Sequence, residues 1–192
     1  FGSKQSGDTQ TLADLGKQYG FTTDIAPSVQ FRGRAVSSSE IRRLLGAGNV
    51  SMAARLLDRP YALEGTVVKG HGIGSKQTVP TLNLATDAEV LPANGVYITR
   101  TFESTGKKRE REWPSITNIG TRPTFDGDQL TIETFLLAPL ESETPSAIRV
   151  EFLRRVREER KFESAEALKA QIVRDVGRAQ EYFRRTADLQ TA

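Results

Sequence analysis

Thr81 and Asn83 stand two residues apart in the run "VPTLNL", residues 79–84. On an extended segment positions i and i+2 point the same way, so a hydroxyl and an amide oxygen would project side by side. These are hard oxygen donors, of the kind that Mg²⁺ accepts together with phosphate oxygens. The same groups can instead satisfy the hydrogen bonds of a turn, which Pro80 favours. Just upstream, "VVKGHGIGSK" carries Gly70, Gly72 and Gly74. With no Cβ in the way, their backbone N–H groups can come close to an oxyanion-rich ligand, and Lys76 adds positive charge. The stretch has no GxxxxGK[ST] pattern and does not open a helix, so it is not a Walker loop. Its plainer use is a hairpin.

Two further stretches carry candidate chemistry. In "QLTIETFLL" a single carboxylate, Glu133, sits among Thr131, Ile132, Thr134 and Phe135. Facing solvent it is a surface residue; facing a cleft it is a candidate general base. Periodicity does not decide between these. "REERKF", residues 157–162, is a charge cluster that ends on an aromatic ring. It reads as a solvated loop, or as a place where Arg157 or Arg160 pairs with polar ligand atoms while Phe162 touches a planar one.

Composition excludes other chemistries. The chain has 192 residues and no cysteine, so disulfides, thiolate zinc sites and a cysteine nucleophile are ruled out. His71 is the single histidine, which rules out a two-histidine metal site. A Ser-His-Asp triad would have to use His71. The absence of cysteine suits a reducing cytoplasm. Hydrophobic residues make up 37% and charged residues 27%, enough for a buried core. The net charge of +3 and a pI near 9.3 suit an anionic ligand such as a nucleotide, and equally a plain soluble protein. No apolar run approaches the roughly 18 residues of a membrane span, and no signal peptide is evident.

The elements that would hold these residues follow from pattern. A loop, a helix over about 9–20 and a short strand near "FTTDIA" are expected first. Residues 37–59 read as helical, with Ser37, Ser38 and Ser39 offering N-cap oxygens and Glu40 placed where the helix dipole favours an anion. "GAGNV" breaks this segment, and Ser51 is the expected cap of a second short helix. The character changes at Pro60. Strands are expected over "YALEGTVVKG" and over 82–85, 95–102, 112–119, 130–137 and 147–153, separated by turn signals. This spacing argues for a small antiparallel barrel or sandwich. From Ser164 to about Arg185, Leu168, Ile172, Val176, Ala179 and Phe183 step by three and four. That is one apolar helix face, capped by Ser164 and expected to pack on the barrel. The boundary is therefore expected near residue 60, giving segments 1–59 and 60–192.

Taken in order, "GTVVKG", "PTLNL", "GVYI", "NIGTRPTF", "IETFLL" and "LRRVREERKFES" resemble the riboflavin kinase family over about residues 60–185. Residues 1–59 resemble the tail of the FMN adenylyltransferase module that precedes this kinase in bacterial bifunctional FAD synthetases. "FGSKQSGD", "VSSSEIR" and "AARLLDRPY" carry that likeness. The resemblance implies a mainly β fold: a six-stranded antiparallel Greek-key barrel with a C-terminal helix, preceded by a partial α/β nucleotidyltransferase segment. It implies ATP- and Mg²⁺-dependent phosphorylation of riboflavin to FMN. It implies that Thr81 and Asn83 ligate Mg²⁺ and ATP, that Gly70, Gly72, Gly74 and Lys76 line the ATP phosphate loop, and that Glu133 is the base. It implies that Arg157, Arg160 and Phe162 lie against the flavin, and that Asn118 to Thr124 form a loop near the substrates.

The chain departs from the family at three places. Leu82 replaces the alanine of PTAN, Thr78-Val79 replaces a glycine before the Pro-Thr pair, and "SETPS" replaces an acidic-Tyr-Gly turn. The HxGH motif of the adenylyltransferase is absent. Ser37, Ser38, Ser39 and Arg42 could still hold phosphates at a helix N-terminus, but this chain alone is expected to make no FAD. A parent protein carrying the upstream half is expected to do so. The alternative reading is a small basic barrel that binds nucleic acid, or binds flavin without phosphorylating it. Nucleic-acid binding calls for interleaved aromatic and basic residues, and only Trp113 lies near "KKRERE". No nucleic-acid or membrane partner is expected, and the sequence leaves the oligomeric state open.

Overall fold

A computed structural model describes residues 7–69, 81–104, 111–124, 127–141 and 143–190. Contacts divide the chain into two compact units, 1–36 and 37–192.

In the first unit, α1 spans Thr9–Tyr19. The Asp8 carboxylate caps it by accepting from the Thr11 backbone N–H at 2.8 Å, and that hydrogen bond holds the Asp8 pKa below its usual value. Gly20 closes the helix in the left-handed region, φ 76°. The strand expected over 21–26 is not formed. Instead β1 (Gln30–Phe31) pairs with β2 (Arg34–Ala35) across Arg32 and Gly33, both with positive φ. A two-residue turn of that kind matches the twist of a hairpin.

The second unit begins with α2 (Ser38–Gly46) and α3 (Val50–Leu57). The Ser37 hydroxyl accepts from the Glu40 N–H at 3.2 Å, as the sequence pattern predicts. The cap of α3 is Asn49, not Ser51: Asn49 Oδ1 accepts from Met52 N, while Ser51 Oγ donates to the Leu153 carbonyl. Leu44, Leu45, Val50, Ala53 and Leu56 are buried, and α3 packs on the barrel strands β3 and β8. Compactness therefore divides the chain earlier than the expected boundary near 60.

Six strands follow: β3 (Tyr61–Val68), β4 (Thr81–Ala85), β5 (Gly95–Glu103), β6 (Glu112–Thr124), β7 (Gly127–Leu136) and β8 (Ala147–Glu158). All neighbours are antiparallel, and the sheet closes as a barrel in the order β3-β4-β7-β6-β5-β8. Alternation sends Leu63, Leu82, Tyr97, Ile119, Ile132, Leu136, Ile148, Val150 and Phe152 inward. Among them run five buried hydroxyls joined in a chain: Thr134 to Thr117 to Thr99 to Ser115 to Thr101, at 2.8–2.9 Å. Each finds its partner in another hydroxyl, so the polar atoms are buried without the cost of an unmade hydrogen bond.

The last element, α4 (Ala165–Gln190), starts at Ser164, whose Oγ accepts from Ala167 N. It lies on the outer face of β5 and β6. Ala179 is fully buried with Val96, Ile98 and Ile116, flanked by Tyr182 and Phe183. The expected apolar face is only partly covered, since Leu168 and Ile172 remain 41% and 39% exposed.

Candidate active site

The register across the sheet decides which side chains meet. Asn83 pairs with Glu133, Glu133 with Asn118, Asn118 with Val96, and Val96 with Arg157. These five residues form one row across five strands. The inward positions beside them are Leu82, Thr134 and Thr117, all buried. Glu133 therefore points out of the barrel, on the side that carries α4. Thr81 belongs to the neighbouring row, with Phe135, Ile116 and Ile98. Thr81 and Asn83 share a face, as their spacing requires.

A pocket of about 210 Å³ forms beneath α4, lined by Thr81, Asn118, Glu133, Phe135, Arg157 and Asp175, with Val96, Ile116 and Ile172 completing it. It opens beside an apolar groove of about 670 Å³ between the end of β7 and the first turns of α4, where Phe135 and Ile172 recur with Leu137, Leu168 and Val173. A cleft with apolar walls and a few convergent polar groups is the usual form of a small-molecule site.

Arg157 reaches the pocket through an irregularity. β8 shifts register against β5 between Val96 and Tyr97 and again between Ile98 and Thr99. Such bulges turn side chains off the simple alternation. Arg157 and Arg154 thereby pair with the outward residues Val96 and Ile98. "REERKF" is thus not all loop, because Arg157 belongs to β8. Its guanidinium Nε donates to Asp175 Oδ2 at 2.8 Å, and Asp175 is 3% exposed. Gln171 Nε2 donates to the other Asp175 oxygen, while Gln171 Oε1 accepts from Arg160 at 2.5 Å. Both arginines lie over the Phe162 ring, 5.6 and 4.9 Å from its centroid. Arg157, Arg160 and Phe162 are thus brought together, and of the three only Arg157 lines the pocket.

Asn118 to Thr124 continue β6 rather than forming a loop. A Cβ at Gly120 would stand 2.1 Å from Glu159 Oε1, the end of an exposed side chain that would have to move aside. Ser37, Ser38, Ser39 and Arg42 are exposed at the start of α2 and line no part of this pocket. Gly70, Gly72, Gly74 and Lys76 lie outside the described residues, as do Thr78 and Val79. Sequence reasoning missed Asp175 and Gln171. The signal was present: both fall on the apolar stripe of α4, at helical spacing from Leu168, Ile172 and Ala179, where a polar residue calls for a buried partner.

The model of the riboflavin kinase family matches residues 57–183, most of the chain. The chain belongs to the riboflavin kinase family. Phosphoryl transfer to riboflavin, giving FMN, is the reaction for which that family is named. The match covers the barrel, the pocket row and most of α4. The chain is similar to the bifunctional riboflavin kinase/FMN adenylyltransferase of Pseudomonas fluorescens, at 35% identity over 93% of this chain and 56% of that protein. It is 34% identical to the protein so named in Escherichia coli K12, over 95% of this chain and 57% of that one. The chain thus spans little more than half the length of these relatives. A crystal structure from Streptococcus pneumoniae, described as a macrolide-efflux protein, resembles it with a TM-score of 0.76 and 27% identity, covering 94% of this chain and 57% of that one. Among the described residues no helix is long and apolar enough to cross a membrane.

Proposed function

We propose that the pocket under α4 is where the ribityl 5′-hydroxyl of riboflavin meets the γ-phosphate of ATP, with Glu133 as the base. The observation that carries this reading is the outward position of Glu133, between Asn83 and Asn118 in the row and on the wall of the pocket. A primary alcohol is a weak nucleophile until its proton is accepted. In the proposed step the 5′-oxygen forms a bond to the γ-phosphorus, the bond from that phosphorus to the β,γ-bridging oxygen breaks, and ADP leaves. The hydroxyl proton passes to the Glu133 carboxylate. Phosphoryl transfer of this kind depends mainly on positioning and on neutralising charge.

Thr81 and Asn83 offer two neutral oxygens beside Glu133. No cluster of three or more acidic or histidine side chains is found among the described residues. That donor set fits Mg²⁺ arriving with ATP, whose phosphates and water would complete the shell, better than a resident ion in an all-protein cage. When bound, the ion would neutralise phosphate charge. Gly70, Gly72, Gly74 and Lys76 are proposed to line the same phosphates. The groove beside Phe135 and Leu168 has the apolar character that an isoalloxazine ring needs, and Arg157, Arg160 and Phe162 are proposed to contact the flavin.

Residues 1–59 are proposed to be the end of an FMN adenylyltransferase module, in which Ser37, Ser38, Ser39 and Arg42 hold phosphate. The lengths of the bifunctional relatives support that assignment. This chain alone is proposed to make FMN and not FAD, in the cytoplasm. Incubation with riboflavin, ATP and Mg²⁺, followed by chromatography of the flavins, tests the reading. FMN is expected; none from folded protein refutes it. Thr81→Ala and Asn83→Ala should each raise the Mg·ATP concentration needed for half-maximal rate, and an unchanged dependence removes the ligand assignment.

A further inference from the structure

We propose that a groove between the C-terminal half of α4 and the end of β8 is a second ligand site, for the phosphate ester of a planar ring compound. The groove holds about 330 Å³. Arg154 and Arg155 reach it from β8, and Arg178, Glu181 and Arg185 from successive turns of α4. Four arginines against one glutamate place a net +3 in one concavity, as much as the formal net charge of the whole chain. Its floor is apolar: Ile98, Val156 and Tyr182. It shares no lining residue with the Glu133 pocket, and the inference does not rest on the roles assigned there.

The arginines are not equivalent. Arg155 is committed to the fold, donating to the Asn94 carbonyl at 2.6 Å, and Arg185 is tied to Glu181 at 2.6 Å. Arg154 and Arg178 have no hydrogen-bond or ion-pair partner among the described residues. The β8 bulge opposite Ile98 and Thr99 is what turns Arg154 onto this face. Two uncommitted guanidiniums over an apolar floor match a phosphate joined to a ring: the forks take the phosphate oxygens, and Tyr182 with Ile98 and Val156 take the ring. The volume is at the lower end for small-molecule sites. Nucleic acid would call for an extended basic track with several exposed aromatics, and this groove has one.

Nucleotide and flavin phosphates share this chemistry, so the test uses both. Calorimetric titrations without divalent cations compare ADP, FMN and inorganic phosphate on wild type, Arg178→Ala, Arg154→Ala/Arg178→Ala and Arg154→Lys/Arg178→Lys. Thr81→Ala serves as the control for the other pocket. The expected result is a binding event with ADP or FMN that Thr81→Ala leaves unchanged. Arg178→Ala should weaken it about tenfold and the double alanine variant further, with partial recovery in the lysine variant. Both side chains are exposed, so thermal melts of the variants should overlay wild type. The proposal is overturned if neither ligand shows an event independent of Thr81, or if the alanine variants bind within twofold of wild type. It is also overturned if inorganic phosphate binds as tightly as ADP and FMN, because the ring would then contribute nothing. Loss of catalysis in the Glu133 pocket would leave this result untouched.

Discussion

Thr117 and Asn118 are neighbours in β6, and Thr134 and Glu133 are neighbours in β7, yet each pair is divided between two faces of the barrel. Inside, Thr117 and Thr134 are fully buried and bonded to each other at 2.9 Å. Outside, Asn118 and Glu133 stand opposite one another and line a pocket. All four are polar, and they differ in where their hydrogen-bonding capacity is used. The inner pair is consumed within a linear chain of buried hydroxyls, which supports the fold. The outer pair faces a space large enough for a ligand. A polar residue in a strand becomes a candidate for chemistry when it opens into such a space.

The comparison is broken most directly at Glu133. Glu133→Gln should lower FMN formation by roughly 10²–10⁴-fold, the range expected for a general base, while riboflavin still binds and the melting temperature holds. A wild-type rate from this variant would remove Glu133 from the mechanism. Asp175→Ala is the next largest effect. It leaves the Arg157 guanidinium without its buried carboxylate and should cost about 3 kcal/mol in urea unfolding. A loss under about 1 kcal/mol would mean that the pair is screened like a surface ion pair.

Adjacent substitutions in β6 sharpen the contrast. Thr117→Val keeps the shape but strands the hydroxyl of Thr134 and leaves Thr99 with Ser115 alone, and should cost about 1–3 kcal/mol of stability with little change in kcat. Asn118→Ala should do the reverse, leaving stability within about 0.5 kcal/mol and raising KM for riboflavin or ATP. If both variants lose only stability, the two faces do not divide labour as argued. The smallest effects concern α3. Asn49→Ala should cost about 1 kcal/mol as a lost N-cap. Ser51→Ala should cost about the same or less, as a lost bond to the Leu153 carbonyl. A Ser51 variant clearly worse than the Asn49 variant would reverse the cap assignment.

Much of the architecture was legible from local rules. The strands at 61–68, 81–85 and 95–103 alternate or are β-branched, and the caps at Ser37 and Ser164 precede their helices as short polar side chains do. The row of site residues was only half legible. Thr81 and Asn83 are related by simple alternation, but whether Glu133 turns outward depends on how β7 pairs with β4 and β6. The "FTTDIA" strand failed for a related reason: that stretch has no pairing partner among the described residues, and the pairing lies at 30–35 instead. The cap of α3 moved from Ser51 to Asn49 because the helix begins two residues earlier, freeing Ser51 to reach β8.

By itself, the sequence determined the order of elements from residue 37 onward, the exclusion of cysteine and two-histidine chemistry, and the ordered motifs that carry the family likeness. These depend on residue type and on spacing along one segment. Only the tertiary structure decided that Asn83, Glu133, Asn118 and Arg157 share a row, that Asp175 holds Arg157, and that two bulges in β8 aim arginines toward α4. Those facts arise when strands distant in sequence take a register, and a shift of one residue there reverses every side chain.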